Sequence, residues 1–404
     1  MKRERMFLRV RGRDIVNEQR AKVFLRGLNL GGWLMMEGYI LGGRNIPETL
    51  FKEELERRWG SKVKEEFVYR FRKNFIQKKD IAIIRNMGFN VVRLPFHYKL
   101  VESRPGRYSS KGLFWLDEAL RWAEEYGIYI ILDLHAAVGS QNRDWHSDSQ
   151  GKALLWEKRE YQVRTVGLWE FLADRYRERA VVAGYDILNE PVTEDRKLLR
   201  LYREIIRAVR RVDKRHILFL EGNFFGQHLN LFNPDWDDNS VYSIHAYQPL
   251  NFTFNFSRGL SYPGLIDGRR WDRKRLNHGL LPYITFQRKH SVPLFVGEFG
   301  VNSRCPCCHS EYEWVKDMLE LFREFGVHWT YWTYKAVAGG IYPDGLYRLE
   351  ENRKWLKREN VHFGWEGLWY DYRNLSRDFF RSMDTGQFTK QQLLARLLKK
   401  YRRE

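Results

Sequence analysis

Apolar, β-branched and aromatic residues cluster along the chain in short runs, at 23–29, 91–96, 128–135, 181–189, 216–222, 241–247, 293–299 and 327–334. Polar or Gly/Pro-containing segments bound each run, which is the pattern of buried strands. Between the runs, apolar positions return at helical spacing over 75–87, 112–126, 165–178, 195–212, 273–289 and 310–325. Strand alternating with helix predicts βα units on a parallel sheet, and about eight of them predict a closed (β/α)8 TIM barrel. The 404 residues exceed the roughly 250 typical of that fold. The surplus is assigned to an N-terminal β-hairpin over 7–27, turning at "NEQRA", and to long βα loops near 30–60, 138–162, 248–272 and 339–375. No linker or repeat interrupts the pattern, so residues 1–404 read as one domain, with 339–375 an insertion after the eighth strand. "GLNLGG" at 27–32 lacks the G-x-G-x-x-G spacing, and no P-loop occurs, which argues against a doubly wound nucleotide-binding sheet.

Charge changes the picture little. Lys and Arg number 70 against 51 Asp and Glu, a net +19. Such a balance raises nucleic acid or an anionic membrane as partners. The signs are interspersed, however, as in "FKEELERRWGSKVKEEF" at 51–67, where acid–base pairs stand at helical spacing. Nucleic acid is therefore not expected, and weak association with anionic membrane surfaces is the partner that charge alone leaves open. The high charge content suits a thermophile. "MKRERMFLRVRGRDIV" has no apolar signal region, and no run approaches a membrane span, so a soluble cytoplasmic protein is expected. Cys305, Cys307, Cys308 and His309 are too crowded for a C-x2-C pair, and H-E-x-x-H is absent. Neither a metal nor a cofactor is expected. The composition leaves the oligomeric state open.

The chemistry sits where the strands end. Arg93 lies in the second run, His135 closes the third, and Asn189 and Glu190 close the fourth just before Pro191. His245 and Tyr247 lie in the sixth, Glu298 in the seventh and Trp332 in the eighth. In a (β/α)8 barrel these carboxyl ends converge on one face, where active sites sit. Buried ionisable groups need partners, so so many together point to a site rather than to chance. Two carboxylates facing across a barrel mouth suit glycoside hydrolysis, one giving a proton to the leaving oxygen and the other attacking the anomeric carbon. Arg93 beside one of them would keep it ionised.

"RGLNLGGWL", "RLPFHY", "LDLHAAVGSQN", "DILNEP", "IHAYQP", "VGEFG" and "YWTYK" together resemble the strand-end motifs of glycoside hydrolase family 5, the cellulase-type retaining β-glycosidases. The likeness spans 26–335 in the family's order, and "NLGGWL" and "HAAVGSQN" resemble its exo-β-1,3-glucanase-like branch. The resemblance implies a glycoside hydrolase acting on β-linked glucosides or gluco-oligosaccharides, with Glu190 as acid/base and Glu298 as nucleophile. It implies a sugar pocket formed by Arg93, His135, Asn189, His245, Tyr247 and Trp332. β-Mannosides and glycolipids fit the same cleft type. A non-catalytic carbohydrate-binding protein would be expected to lack one of the glutamates, and both are present. An acid role for Glu190 predicts a pocket that raises its pKa. Trp145, Trp156, Trp365 and Trp369 are candidates for extending the sugar platform. The insertion at 339–375 and the cysteine cluster depart from the family's pattern.

Overall fold

The computed structural model describes residues 6–303, 309–350, 353–357 and 363–401. Cys305, Cys307 and Cys308 lie outside these residues. Eight strands form a closed barrel: β1 (Arg26–Asn29), β2 (Val91–His97), β3 (Tyr129–Ala136), β4 (Val182–Asp186), β5 (Ile217–Glu221), β6 (Ser240–His245), β7 (Leu294–Phe299) and β8 (His328–Tyr331). Every neighbouring pair is parallel, in sequence order, and β8 closes on β1. This is the (β/α)8 barrel that the alternating pattern predicts. Each expected run holds its strand to within one residue, with His97, Ala136 and Ser240 lying just outside.

The interior is built on the strand's period of two. Val91 on β2, Tyr129 and Ile131 on β3, Ile217 and Phe219 on β5, and Phe295 on β7 form one buried cluster inside the barrel. Two residues further along, the same inward row carries Arg93, Asp133 and Glu221, and then His135. An apolar floor thus passes into a polar mouth at the strands' carboxyl ends. The residues between them, such as Val92, Leu94, Ile130, Leu132, Leu218 and Leu220, join the larger cluster under the helices.

The N-terminal hairpin is shorter than the sequence suggested. Its strands are Leu8–Arg11 and Asp14–Asn17, and the reversal falls at Gly12–Arg13 rather than at "NEQRA". Gly12 has a φ of 59°, a conformation that glycine adopts without strain. Leu8 and Ile15 pack onto the barrel's apolar floor, so the hairpin plugs the end opposite the site.

Helices α1 (Glu48–Trp59) and α2 (Ser61–Phe75) occupy much of the β1–β2 connection, so the expected loop near 30–60 is helical from 48 onward. The interspersed charges there pair as their spacing predicts, Glu54 with Arg58 and Glu66 with Arg70. Helices α3 (Lys78–Asn86), α4 (Ser110–Tyr126), α5 (Arg159–Tyr176), α6 (Asp195–Val212), α7 (Arg273–His290) and α8 (Ser310–Phe325) follow the expected order. Local signals set their ends. Ser109 accepts a hydrogen bond from the Gly112 amide at the start of α4, and Asp272 accepts one from Arg275 at the start of α7. The β5–β6 crossover, 222–239, has no long helix. After β8, a short strand Lys335–Val337 precedes the expected insertion, which holds its partner Tyr347–Leu349 and runs into α9 (Gly367–Ser382), with α10 (Gln392–Lys400) beyond. Among the described residues no helix is long and apolar enough to cross a membrane.

Candidate active site

Arg93 anchors the mouth. It is fully buried, and its Nε donates to Asp186 Oδ2 at 2.7 Å. One terminal nitrogen donates to Glu298 Oε1 at 2.8 Å and Asn29 Oδ1 at 3.2 Å. The other donates to Asn189 Oδ1 and Glu221 Oε1, both at 2.9 Å, and lies 3.2 Å from Asp133. Burial alone would discharge this guanidinium, but Asp133, Asp186, Glu298 and Glu221 hold its pKa well above the ordinary value. A buried cation with this many anions is stable only because each side neutralises the other.

Glu298, at the end of β7, receives Arg93 on Oε1 and the Tyr247 hydroxyl on Oε2 at 2.8 Å. Glu190 follows β4, and its backbone N–H donates to Glu221 Oε2 at 2.7 Å. Its φ of 48° is unusual for a residue with a side chain. Its Oε1 lies 2.7 Å from His245 Nδ1, and its Oε2 lies 3.0 Å from His146 Nε2. Burial pushes the Glu190 carboxyl up, but His245 and His146 outweigh it and hold the pKa well below the ordinary value. This reverses the expected upward shift. The two imidazoles rise in compensation, His245 strongly, among Glu221, Glu298 and Glu190.

A cavity of about 300 Å³ opens over these carboxylates. Of the residues singled out from sequence, Glu190, Glu298, His135, His245, Tyr247 and Trp332 line it. Arg93 and Asn189 do not. Arg93 lies behind Glu298, and Asn189 is buried beside it, its Nδ2 without a partner among the described residues. The Trp332 ring lies parallel to that of His135, 5.5 Å away, and its indole N–H donates to the Tyr39 hydroxyl. Trp145 reaches the cavity, as expected of a platform. Trp156, Trp365 and Trp369 do not. They are buried, with indole N–H groups donating to backbone carbonyls of Gln141, Arg44 and Phe51.

Sequence reasoning missed several groups. Glu37 is buried in the cavity wall, 3.7 Å from His135 Nε2, with Oε1 otherwise unpartnered. Burial, then Glu298, Glu190 and Asp133, push its pKa well up, so it stands as a neutral acid able to donate a hydrogen bond. It sits five residues past "LNLGG" in "WLMMEGY", where no strand end marks it. Glu221, by contrast, closes the fifth predicted run and could have been found by the rule that found Glu190. His146 lies in an irregular loop, where spacing carries no signal. Phe254, Phe256 and Tyr342 form an aromatic rim, with neighbouring ring centroids 5.3–5.4 Å apart. Glu190, His245 and Glu298 offer donor atoms within 4.8 Å of one another, close enough to meet a common cation. Those donors already serve Arg93, Tyr247 and one another.

A parallel eight-stranded barrel carrying a carboxylate-rich cavity at its strands' carboxyl ends is a (β/α)8 enzyme of the hydrolase type. The chain belongs to glycosyl hydrolase family 5, the cellulase family, whose model matches residues 60–337, and it is a glycoside hydrolase. It is 32% identical over 348 residues to a beta-xylosidase of Phanerodontia chrysosporium, covering 82% of this chain and 71% of that one. It is 29% identical over 374 residues to Endoglucanase C of Acetivibrio thermocellus, covering 84% and 97%. The fold is similar to the crystal structure of endoglucanase Cel5A from the hyperthermophilic Thermotoga maritima, with a TM-score of 0.60 at 21% identity, covering 80% of this chain and 92% of that one.

Proposed function

We propose that the protein is a retaining β-glycosidase that cleaves β-linked glucosides or gluco-oligosaccharides, with Glu190 as acid/base and Glu298 as nucleophile. The observation that carries this reading is the spacing of the two glutamates, whose nearest oxygens lie within 4.8 Å. Retaining enzymes hold their carboxyl groups about 5–5.5 Å apart, whereas inverting ones leave about 6.5–9.5 Å for a water. Glu298, held in place by hydrogen bonds from Arg93 and Tyr247, attacks the anomeric carbon while Glu190 protonates the departing oxygen. Water, deprotonated by Glu190, then displaces Glu298. Asn189 lies behind the lining residues, its amide nitrogen buried and without a partner among the described residues, so a hydrogen bond from it to the sugar's 2-hydroxyl, a contact that strengthens in the transition state, requires the sugar to seat deep against Glu190 and Glu298. Glu37, as a neutral acid, adds a donor for another hydroxyl. The endoglucanase relative supports gluco-configured substrates.

A second reading, a β-glycosidase directed at an apolar aglycone such as that of a glycolipid, is supported by the exposed Phe256 beside Phe254 at the rim. One experiment separates the readings. Aryl β-glucosides, β-xylosides and β-mannosides, β-1,3- and β-1,4-oligosaccharides and a glycolipid are offered, and proton NMR follows the first anomer released. The proposal expects a β-glucoside cleaved with the β-anomer first. An α-anomer as first product would mean inversion and would remove Glu298 as nucleophile.

A further inference from the structure

Two histidines hold Glu190, although the proposed mechanism needs only a carboxyl. His245 is packed among three carboxylates, with Nε2 3.1 Å from Glu221 and Nδ1 shared between Glu190 and, at 3.6 Å, Glu298. Its proton is strongly held. His146 is placed differently. It comes from the β3–β4 connection, on a 3-10 turn (Trp145–Ser147), and its Nε2 lies between two groups: Glu190 Oε2 at 3.0 Å and Asn142 Nδ2 at 3.1 Å.

The Asn142 amide is fixed. Its Oδ1 accepts from the Asp144 N–H at 2.9 Å, and its Nδ2 donates to the Glu190 carbonyl at 3.0 Å. The second Nδ2 hydrogen is left for His146 Nε2, which accepts it only as a bare nitrogen. With Nε2 bare, the short contact to Glu190 requires the proton on Oε2. With Nε2 protonated, the same contact is imidazolium to carboxylate. One geometry therefore serves two proton placements.

We infer that His146 exchanges a proton with Glu190 and thereby positions it as the acid; this rests on the reading of Glu190 as acid/base. In the first step the proton shared between His146 Nε2 and Glu190 Oε2 passes through Oε2 to the glycosidic oxygen, which takes the electron pair of the breaking C–O bond as Glu298 bonds to the anomeric carbon, and Glu190 is left a carboxylate. His146 becomes neutral, and Asn142 satisfies its bare nitrogen. In the second step the attacking water gives a proton to Glu190, His146 takes it back, and the bond from the anomeric carbon to Glu298 breaks as the bond to water oxygen forms. The protons balance over the cycle.

The charged groups around His146 favour holding this proton. Glu190 faces it from β4, Glu298 from β7 and Asp144 from its own loop, and their charges raise its pKa against the opposing effect of burial. His135 on β3 faces it with ring centroids 6.2 Å apart, and Phe225 beyond β5 brings no charge. A shared proton of this kind is lost at the raised pKa of an imidazole rather than at that of a carboxyl. The site is then an effective acid at neutral pH even though Glu190 itself is held low.

The test compares His146→Gln with the native enzyme. Glutamine keeps a donor for Oε2 but cannot give up its proton. A 2-deoxy-2-fluoro glycoside that traps Glu298 counts active sites, so any misfolded fraction is corrected. On an alkyl β-glucoside or disaccharide, kcat/KM should fall roughly tenfold to a hundredfold, and the alkaline limb of its pH profile should move to lower pH by about one unit or more. On a dinitrophenyl glucoside, kcat/KM should change less than about threefold, because that leaving group needs little protonation. An unmoved alkaline limb, or an equal loss on both substrates, would overturn the proton exchange and leave His146 a structural prop. If no glycoside is cleaved and no site is trapped by the native enzyme, the functional reading fails instead.

Discussion

A guanidinium with no exposed surface, Arg93, sets the chemistry of the residues around it. It donates to Glu298, orients Asn189 through the amide oxygen, and ties β2 to β4, β5 and β7. Removing it would leave Asp133, Asp186, Glu221 and Glu298 buried without their counter-ion. Arg93→Met should therefore cost about 3–5 kcal/mol of folding stability, read from urea melts. A cost within about 1 kcal/mol would mean that water or protons compensate freely. The glutamate roles have their own test. Glu298→Ala should abolish turnover and be partly rescued by azide as an α-glycosyl azide. Glu190→Ala should lose about 10²–10⁴ on poor leaving groups, spare dinitrophenyl glycosides and yield a β-glycosyl azide. Exchanged azide products would reverse the two roles. Residues at strand ends, such as Glu190, Glu298 and His245, were legible because an ionisable group after an apolar run is costly without a purpose. His146, Glu37 and Tyr342 were not, because a loop residue's neighbours depend on a path that no periodicity records.

Strands and helices were legible for a different reason. Parallel strands buried on both faces read as continuous apolar runs, and amphipathic helices between them keep a helical period. The extent of the loops was harder to read. The start of helix α1 fell within the expected loop near 30–60, although the charges from 51 onward stand at helical spacing, because its apolar face is narrow and Phe51 and Leu55 do the packing. Just before the expected insertion, a buried cation ties the end of α2 to the chain beyond α9. Lys335 is buried and donates to the Met383 carbonyl and the Thr385 hydroxyl, both at 2.8 Å. Its Nζ lies 4.7 and 4.9 Å from the ring centroids of Phe75 and Phe388. Burial lowers its pKa from 10.5 to about 8. The unfolded chain keeps this proton up to about 10.4, so between about pH 8 and 10 the unfolded state binds more protons and folding stability rises with pH. The stability of native protein relative to Lys335→Met should therefore rise between pH 7.5 and 9.5 in paired urea melts. A difference that stays constant or falls would show that the ammonium is as well solvated folded as unfolded.

The whole molecule carries a charge of +19 that the site does not use. Part of it stands on the outer face of α6, where Arg196, Arg200, Arg203 and Arg207 are exposed at successive turns. Isolated surface charges lose reach beyond the Debye length, about 8 Å at physiological salt. Binding to anionic vesicles should therefore be measurable at low ionic strength and largely lost by about 0.15 M salt. Reversing Arg200, Arg203 and Arg207 to Glu should weaken it, with hydrolysis of small glycosides unchanged. Vesicle binding that persists at high salt would point to apolar insertion instead.

The β5–β6 crossover gives the barrel one wall without a long helix. In the other crossovers, amides sit in helical ladders and open only when much of the layer opens. Residues 222–239 have only short turns and one local bridge, Asn223 with His228, in place of a helical ladder. Deuterium should enter these amides well before those of α6 or α7. The same stretch carries Phe225 and Gln227 into the cavity wall. If that exchange is seen, the floor and the doorway of the site are held to different standards of rigidity: β2, β5 and β7 fix the reacting carboxylates by paired strands, while the entrance at Phe225 and Gln227 rests on turns alone.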